Sequence, residues 1–177
     1  MIFNCQRTSK AIVALCFSNL LLGGPVDVMR AFLNDKKVDA ELIDMGSPMT
    51  TAQAAADLLK IPVENIFKSL VLVDAKGDAC LVVLPGGAKL DQKAIARLMG
   101  AKKLKFASEE VVLKVTGYQA GGTPPLGHQT ALPVFVDEKV MTYEFGYGGG
   151  GHPDWLLRVR PKELVRVTGA TVAPLSL

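Results

Sequence analysis

The chain has 177 residues, of which 49% are apolar and 21% charged, and its formal net charge is +3. That length sets one domain as the expectation, and that composition excludes a disordered or collagen-like chain. Three scattered cysteines, Cys5, Cys16 and Cys80, have no metal-ligand spacing, which excludes a disulfide framework and fits a reducing cytosol.

At the start of the chain, Arg7 and Lys10 precede an apolar stretch from Ala11 to Leu22 that Ser18 and Asn19 interrupt. A signal peptide has this general shape, but no small-x-small cleavage site follows, and the stretch is too short to span a membrane. The expectation is a leader over residues 1–24, one domain over residues 25–177, and a cytoplasmic protein without membrane contact.

Pro25 and Asp27 suit a first helical turn, and Val28, Met29, Phe32 and Leu33 recur at helical spacing. A strand is expected from Ala40 to Met45. Thr50-x-x-Gln53 is a capping-box signal for a helix over Ala54 to Leu59, which Pro62 ends. Phe67 to Val73 and Cys80 to Leu84 read as a hairpin around the turn Ala75-Lys-Gly-Asp78, and their near-continuous Val and Leu content makes it central and buried. Asp91 caps a helix reaching Met99, with Gly100 past its end, and Ser108 starts another to about Val115.

Next comes Gly117-Tyr-Gln-Ala-Gly-Gly-Thr-Pro-Pro-Leu-Gly-His128. Its two prolines lack donors and its glycines permit unusual backbone angles, so it reads as a rigid backbone cradle and is the expected seat of function. Strands are expected at Leu132 to Val136 and Val140 to Phe145, with a turn at Asp137-Glu-Lys139. A second glycine run, 146–151, leads to a strand from Trp155 to Val159, and a last helix has Pro161 at its first position and Gly169 past its end. Strands and helices mix without regular alternation. That indicates α+β, with a mixed or antiparallel sheet curled into a barrel-like form and surrounded by helices.

Few polar residues stand in apolar runs. Lys68 interrupts Ile66-Phe-Lys-Ser-Leu-Val71; it is either an edge residue whose stem snorkels to water or a fixed cation at a cleft mouth. His128 and His152, the two histidines, each close a glycine-rich loop, as surface residues or as acid–base groups. Ser69, Thr123 and Thr130 can bond a ligand or the local backbone. No nucleophile is paired with a base in any familiar motif, and no metal cluster or cofactor motif is present. Lys89, Lys93 and Arg97 are spaced four apart on the Asp91 helix, and Lys102, Lys103 and Lys105 continue the charge. This stripe is either a solvated face or a contact for a phosphate backbone.

From about Val26 onward the chain resembles the YbaK/prolyl-tRNA-synthetase-associated editing-domain family, the YbaK/EbsC-type aminoacyl-tRNA deacylases. Four features match in order. Asp39 to Asp44 with Thr51 to Ala56 resembles the opening strand and helix, and Ile66 to Val71 the strand bearing the family's lysine, here Lys68. Gly121-Gly-Thr-Pro-Pro-Leu-Gly127 resembles the Gly-x-x-x-Pro loop, and the glycine run before Trp155 with Pro161 to Leu164 the closing segment. The resemblance implies hydrolysis, in trans, of the ester of a mischarged tRNA, for proline or a related tRNA. It makes Lys68, Gly121, Gly122, Pro125 and Gly127 the catalytic set. Ser69, Thr123, His128, Gly151, His152 and Asp154 become substrate contacts, and Lys89, Lys93, Arg97, Lys102 and Lys103 tRNA contacts. Some relatives carry Thr-Pro-His after the last glycine where this chain has Gly151-His-Pro-Asp154, so His152 and Asp154 both stand for that role. No cofactor or metal is implied. The partners implied are the aminoacyl-tRNA acceptor end and an aminoacyl-tRNA synthetase. The alternatives are a non-catalytic module that binds aminoacyl-tRNA or an aminoacyl-nucleotide, and an unrelated phosphate-ligand enzyme.

Overall fold

The computed structural model describes residues 23–177; nearly all of the expected leader, residues 1–22, lies outside the described residues. Five helices and eight strands follow in the order α1 (Pro25–Asp35), β1 (Ala40–Asp44), α2 (Ala52–Leu59), β2 (Phe67–Val73), β3 (Ala79–Pro85), α3 (Gln92–Leu98), β4 (Lys105–Phe106), α4 (Glu109–Thr116), β5 (Val134–Asp137), β6 (Gly146–Gly149), β7 (Trp155–Val159), α5 (Pro161–Thr168) and β8 (Thr171–Ala173). Local chemistry sets most ends. Pro25 and Pro161 open their helices, the Asp91 carboxylate accepts from Lys93 and Ala94 N–H, and Gly117 and Gly169 close α4 and α5 in the left-handed region.

Two sheets form. One has the order β4-β2-β3-β5-β8 and the other β1-β7-β6. The β2–β3 hairpin is antiparallel with Ser69 opposite Val83, while β3, β5 and β8 run parallel to one another. The expected central, buried hairpin is present, since every residue from Cys80 to Leu84 is 0% exposed. Its alternation serves two cores. Val71, Leu81 and Val83 pack with Leu157, Val159 and Leu164, while Leu72, Val82 and Leu84 pack with Ile95, Leu104 and Leu175. Cys80 is a free, buried thiol, pushed up to about 11 by burial.

The fold is α+β, but the barrel-like closure is not observed. The sheets meet through one isolated parallel bridge, Ile66 with Tyr147. The seam is filled by a side chain instead of a ladder: the Phe67 ring lies against Gly146, with no room there for a Cβ. Other expectations shift for physical reasons. Val140 to Phe145 is no strand; its first three residues belong to a 3-10 turn, Glu138–Thr142, which the Asp137 carboxylate caps through Lys139 N–H. The neighbouring glycine run supplies the strand instead, as β6. The cap of α2 is Thr51, one residue past the expected Thr50, and its hydroxyl accepts from Ala54 N–H at 3.1 Å.

The C-terminal segment is stitched into the large sheet. The buried Asp137 carboxylate accepts from Leu175 N–H at 2.8 Å. Leu175 C=O accepts from Asp91 N–H at 2.8 Å, and Leu177 N–H donates to Lys89 C=O at 2.9 Å.

The Phe67–Gly146 contact sets a stability test. Gly146→Ala forces a methyl into the buried Phe67 ring, and overpacking of this kind costs about 1–3 kcal/mol. The urea midpoint of the variant should fall accordingly, and an unchanged midpoint would contradict the contact.

Candidate functional site

Beside the outer edge of β2 lies a cavity of about 320 Å³. Five successive residues, Ile66 to Leu70, line it, together with Gly121 and Thr123 of the Gly/Pro loop and Gly148 and Gly149 of β6. Met49 to Ala52 bring the start of α2 to its rim, and Ala55 and Leu156 supply apolar wall. Lys68 and two residues of the Gly/Pro loop thus line one space. No acidic side chain is among the lining residues.

Lys68 is half-buried, and its ammonium donates to the Ala88 carbonyl at 2.6 Å. Burial holds its pKa below the usual 10.5. It forms no ion pair with the described residues, so its charge is oriented by a neutral dipole and left uncompensated. The first turn of α2 adds a second positive feature, because unpaired N–H groups gather at a helix start. An electropositive, partly dry cavity suits an anionic or strongly polar ligand.

The walls are backbone laid on backbone. Gly151 N–H donates to Gly122 C=O at 2.9 Å. A Cβ on Gly149 would lie 2.5 Å from Thr123 O and 2.6 Å from Gly122 O, and one on Gly122 would lie 2.7 Å from the His152 carbonyl carbon. Pro125 forms part of the same contact, its ring 2.9 Å from where a Cβ on Gly148 would sit. Gly121 differs: at φ +88 it is exposed, with nothing within 4 Å of its would-be Cβ, so it meets the solvent side of the cavity. The Gly121 and Thr123 N–H groups have no hydrogen-bond partner among the described residues.

Several expected substrate contacts instead brace the loop. The Thr123 hydroxyl donates to Gln119 C=O at 3.1 Å. The His128 ring nitrogen Nε2 sits 2.8 Å from Pro124 C=O, which fixes the tautomer with the proton on Nε2. Burial lowers the His128 pKa from 6.5, the bond to Pro124 opposing that in part. Gly127 packs on Met29 and Phe32 of α1. His128, Gly151, His152 and Asp154 are not among the residues lining the cavity, nor are Gly122, Pro125 and Gly127, which support its wall from behind. His152 is exposed; its Nδ1 accepts from Asp154 N–H at 3.3 Å. One Asp154 oxygen, Oδ1, is buried without a partner among the described residues.

Thr50, Thr51, Gly148 and Gly149 are cavity residues that sequence reasoning did not place there. Thr50 read as a cap, Thr51 as part of the family's opening helix, and the glycines as a loop. A signal for the latter existed: five of the six residues from Gly146 to Gly151, all but Tyr147, are glycine, the mark of close backbone approach.

The aminoacyl-tRNA editing domain model matches residues 46–167, which hold every residue of the cavity. The chain belongs to this family. It is 28% identical over 126 residues to a protein of Enterococcus faecalis provisionally named Cys-tRNA(Pro)/Cys-tRNA(Cys) deacylase EbsC, covering 71% of this chain and 77% of that one. It is 27% identical over 124 residues to the proline–tRNA ligase of Lactobacillus gasseri, covering 70% of this chain and 21% of the ligase. A solved structure provisionally described as a trans-editing enzyme for prolyl tRNA synthetase superposes with a TM-score of 0.80 at 36% identity, covering 88% of this chain and 99% of that one. The α+β architecture is thus that of the editing domain. No helix among the described residues is long and apolar enough to cross a membrane, and those residues contain no cluster able to hold a metal ion.

The His128 geometry makes a pH prediction. A histidine held neutral by burial contributes stability fully above pH 6.5, and the contribution is lost as pH falls from 6.5 toward its lowered folded value, because the unfolded chain then binds more protons. His128→Asn should therefore show a shallower loss of urea midpoint below pH 6.5 than the parent chain, and parallel curves would contradict it.

Proposed function

We propose that this protein is a trans-editing deacylase that hydrolyses the ester of a mischarged tRNA, one for proline or a related tRNA, in the cytoplasm. The observation that carries this reading is the shared cavity: Lys68, whose ammonium has no counter-ion among the described residues, lines a glycine-walled space together with residues whose backbone donors are unpaired and with no histidine or acidic side chain among the lining residues. An aminoacyl ester is activated already, so positioning and oxyanion stabilisation suffice where a nucleophile is lacking.

In this reading a water molecule, held by the vicinal ribose hydroxyl, adds to the ester carbonyl and gives up a proton that passes to the departing ribose oxygen. The Gly121 and Thr123 N–H groups stabilise the developing oxyanion. The bond from the carbonyl carbon to the ribose oxygen then breaks, that oxygen takes up a proton, and amino acid and intact tRNA leave. Lys68 holds the phosphate or carbonyl of the terminal nucleotide. Gly122, Pro125 and Gly127 keep the wall still, and residues 25–177 act as one editing domain. His152 and Asp154 sit behind this wall and contact flanking parts of the RNA.

The basic stripe continues from the same place. Ala88, which Lys68 grips, is followed by exposed Lys89, and α3 carries exposed Lys93 and Arg97 before exposed Lys102 and Lys103. Placed there, these charges extend the positive surface from the cavity toward the acceptor stem, with an affinity that depends on salt and not on sequence.

Two measurements test the proposal. With mischarged tRNA for proline, across a panel of amino acids, amino-acid release should exceed the spontaneous rate, and Lys68→Ala should lower it more than tenfold, about 1.4 kcal/mol or more of transition-state stabilisation. Binding without release would favour the non-catalytic module instead. Charge reversal at Lys93 and Arg97 together should weaken tRNA binding and flatten its salt dependence, with a slope reduced by about 1–2. An unaltered slope would return the stripe to ordinary solvated surface.

A further inference from the structure

The edge of β2 has a gap one residue wide, and that gap opens into the cavity. In an antiparallel pair, alternate residues bond to each other or turn their backbone groups to the outer edges. Leu81, opposite Val71, sends its N–H away from β2 to Pro133 C=O at 2.9 Å, and Val71 C=O accepts from Ala107 N–H at 2.9 Å. Val71 and Leu81 are therefore an outward-turned pair. Two residues back, Ser69 and Val83 repeat the arrangement, so the Ser69 N–H and C=O point to the outer edge of β2.

Among the described residues no strand pairs with that edge at Ser69. β4 pairs with Leu72 and Val73 and reaches no further. β6 meets β2 through the Ile66–Tyr147 bridge at the other end. The Ser69 hydroxyl is also buried without a hydrogen-bond partner. Ser69 thus turns two unpaired backbone groups toward a cavity walled by Thr123, Gly148 and Gly149, with an orphaned hydroxyl buried beside them. An orphaned set of this kind is costly unless a ligand completes it.

We propose that Ser69 recognises the main-chain part of the substrate's amino acid as a one-residue strand addition. The α-ammonium donates to the Ser69 carbonyl oxygen, and Ser69 N–H joins the Gly121 and Thr123 donors on the ester carbonyl oxygen. This rests on the deacylase reading and names what that reading leaves open: the site selects α-amino acyl esters over acyl esters in general, whatever the side chain. The mode is that of a peptide joining a sheet edge, shortened to one residue.

The probes are two stable adenosine derivatives carrying alanyl or propionyl in amide linkage at the 3′ position. They share a carbon skeleton and differ in the α-ammonium, and alanine fits a pocket of any side-chain preference. The alanyl compound should bind at least tenfold more tightly, shift the Ser69 amide resonance and slow its hydrogen exchange. Equal affinities, or an unperturbed Ser69 amide, would overturn the inference; if mischarged tRNA were still hydrolysed, the deacylase reading would survive that result. Failure of both compounds to bind, together with no hydrolysis, would remove both.

Discussion

The site depends on two stretches of bare backbone lying against each other. Residues 121–125 cross residues 148–151 so closely that a single methyl group on Gly122 or Gly149 would overlap carbonyl atoms of the opposite strand. Side chains cannot fix a wall at that spacing; peptide planes can. The wall stands beside β2 and leaves the Lys68 amine, the Ser69 backbone and the Gly121 turn around one space. Loops of such composition are usually associated with motion. Here Pro124, Pro125 and Leu126 are buried, and hydrogen bonds from Thr123, Tyr118 and His128 lock the turn from behind.

Electrostatics complete the picture. Removing an ammonium from water is unfavourable without a partner, and Lys68 has the Ala88 carbonyl and no carboxylate among the described residues. A dipole orients the charge without neutralising it, so an incoming phosphate or polarised ester finds an unspent cation. That arrangement differs from a structural ion pair, in which the charge is already satisfied. It also explains how a cavity without histidine, cysteine or carboxylate side chains on its lining could stabilise a developing negative charge.

Much of this was legible in the chain itself. Pro25, Asp91, Ser108, Pro161 and Gly169 mark helix ends through local chemistry, which does not need the rest of the fold. The Val- and Leu-rich hairpin announced its own burial. Lys68 stood out because a charge in such a run demands a reason. What failed was long-range. Val140 to Phe145 has the composition of a strand, yet the Asp137 cap winds its first half into a turn. The glycines after it pair with β7 because β2's Phe67 ring tolerates nothing larger than Gly146. Whether a curled sheet closes likewise depends on a seam between distant segments, and that seam holds a ring. The histidines were the hardest to assign. Both close glycine loops, but His128 turns inward to a carbonyl and His152 outward to its own neighbour, a choice made by packing and not by spacing.

The far end of the chain has a bearing on all this. Leu175 and Leu177 clasp Asp91 and Lys89, and Lys89 directly follows the carbonyl that steers the Lys68 ammonium. The tail is therefore a buttress for the cation, although no tail residue lines the cavity. A chain extension after Leu177 would emerge beside Lys89. Bulk added on that side would press on the segment that steers the ammonium, well away from the residues that line the space itself.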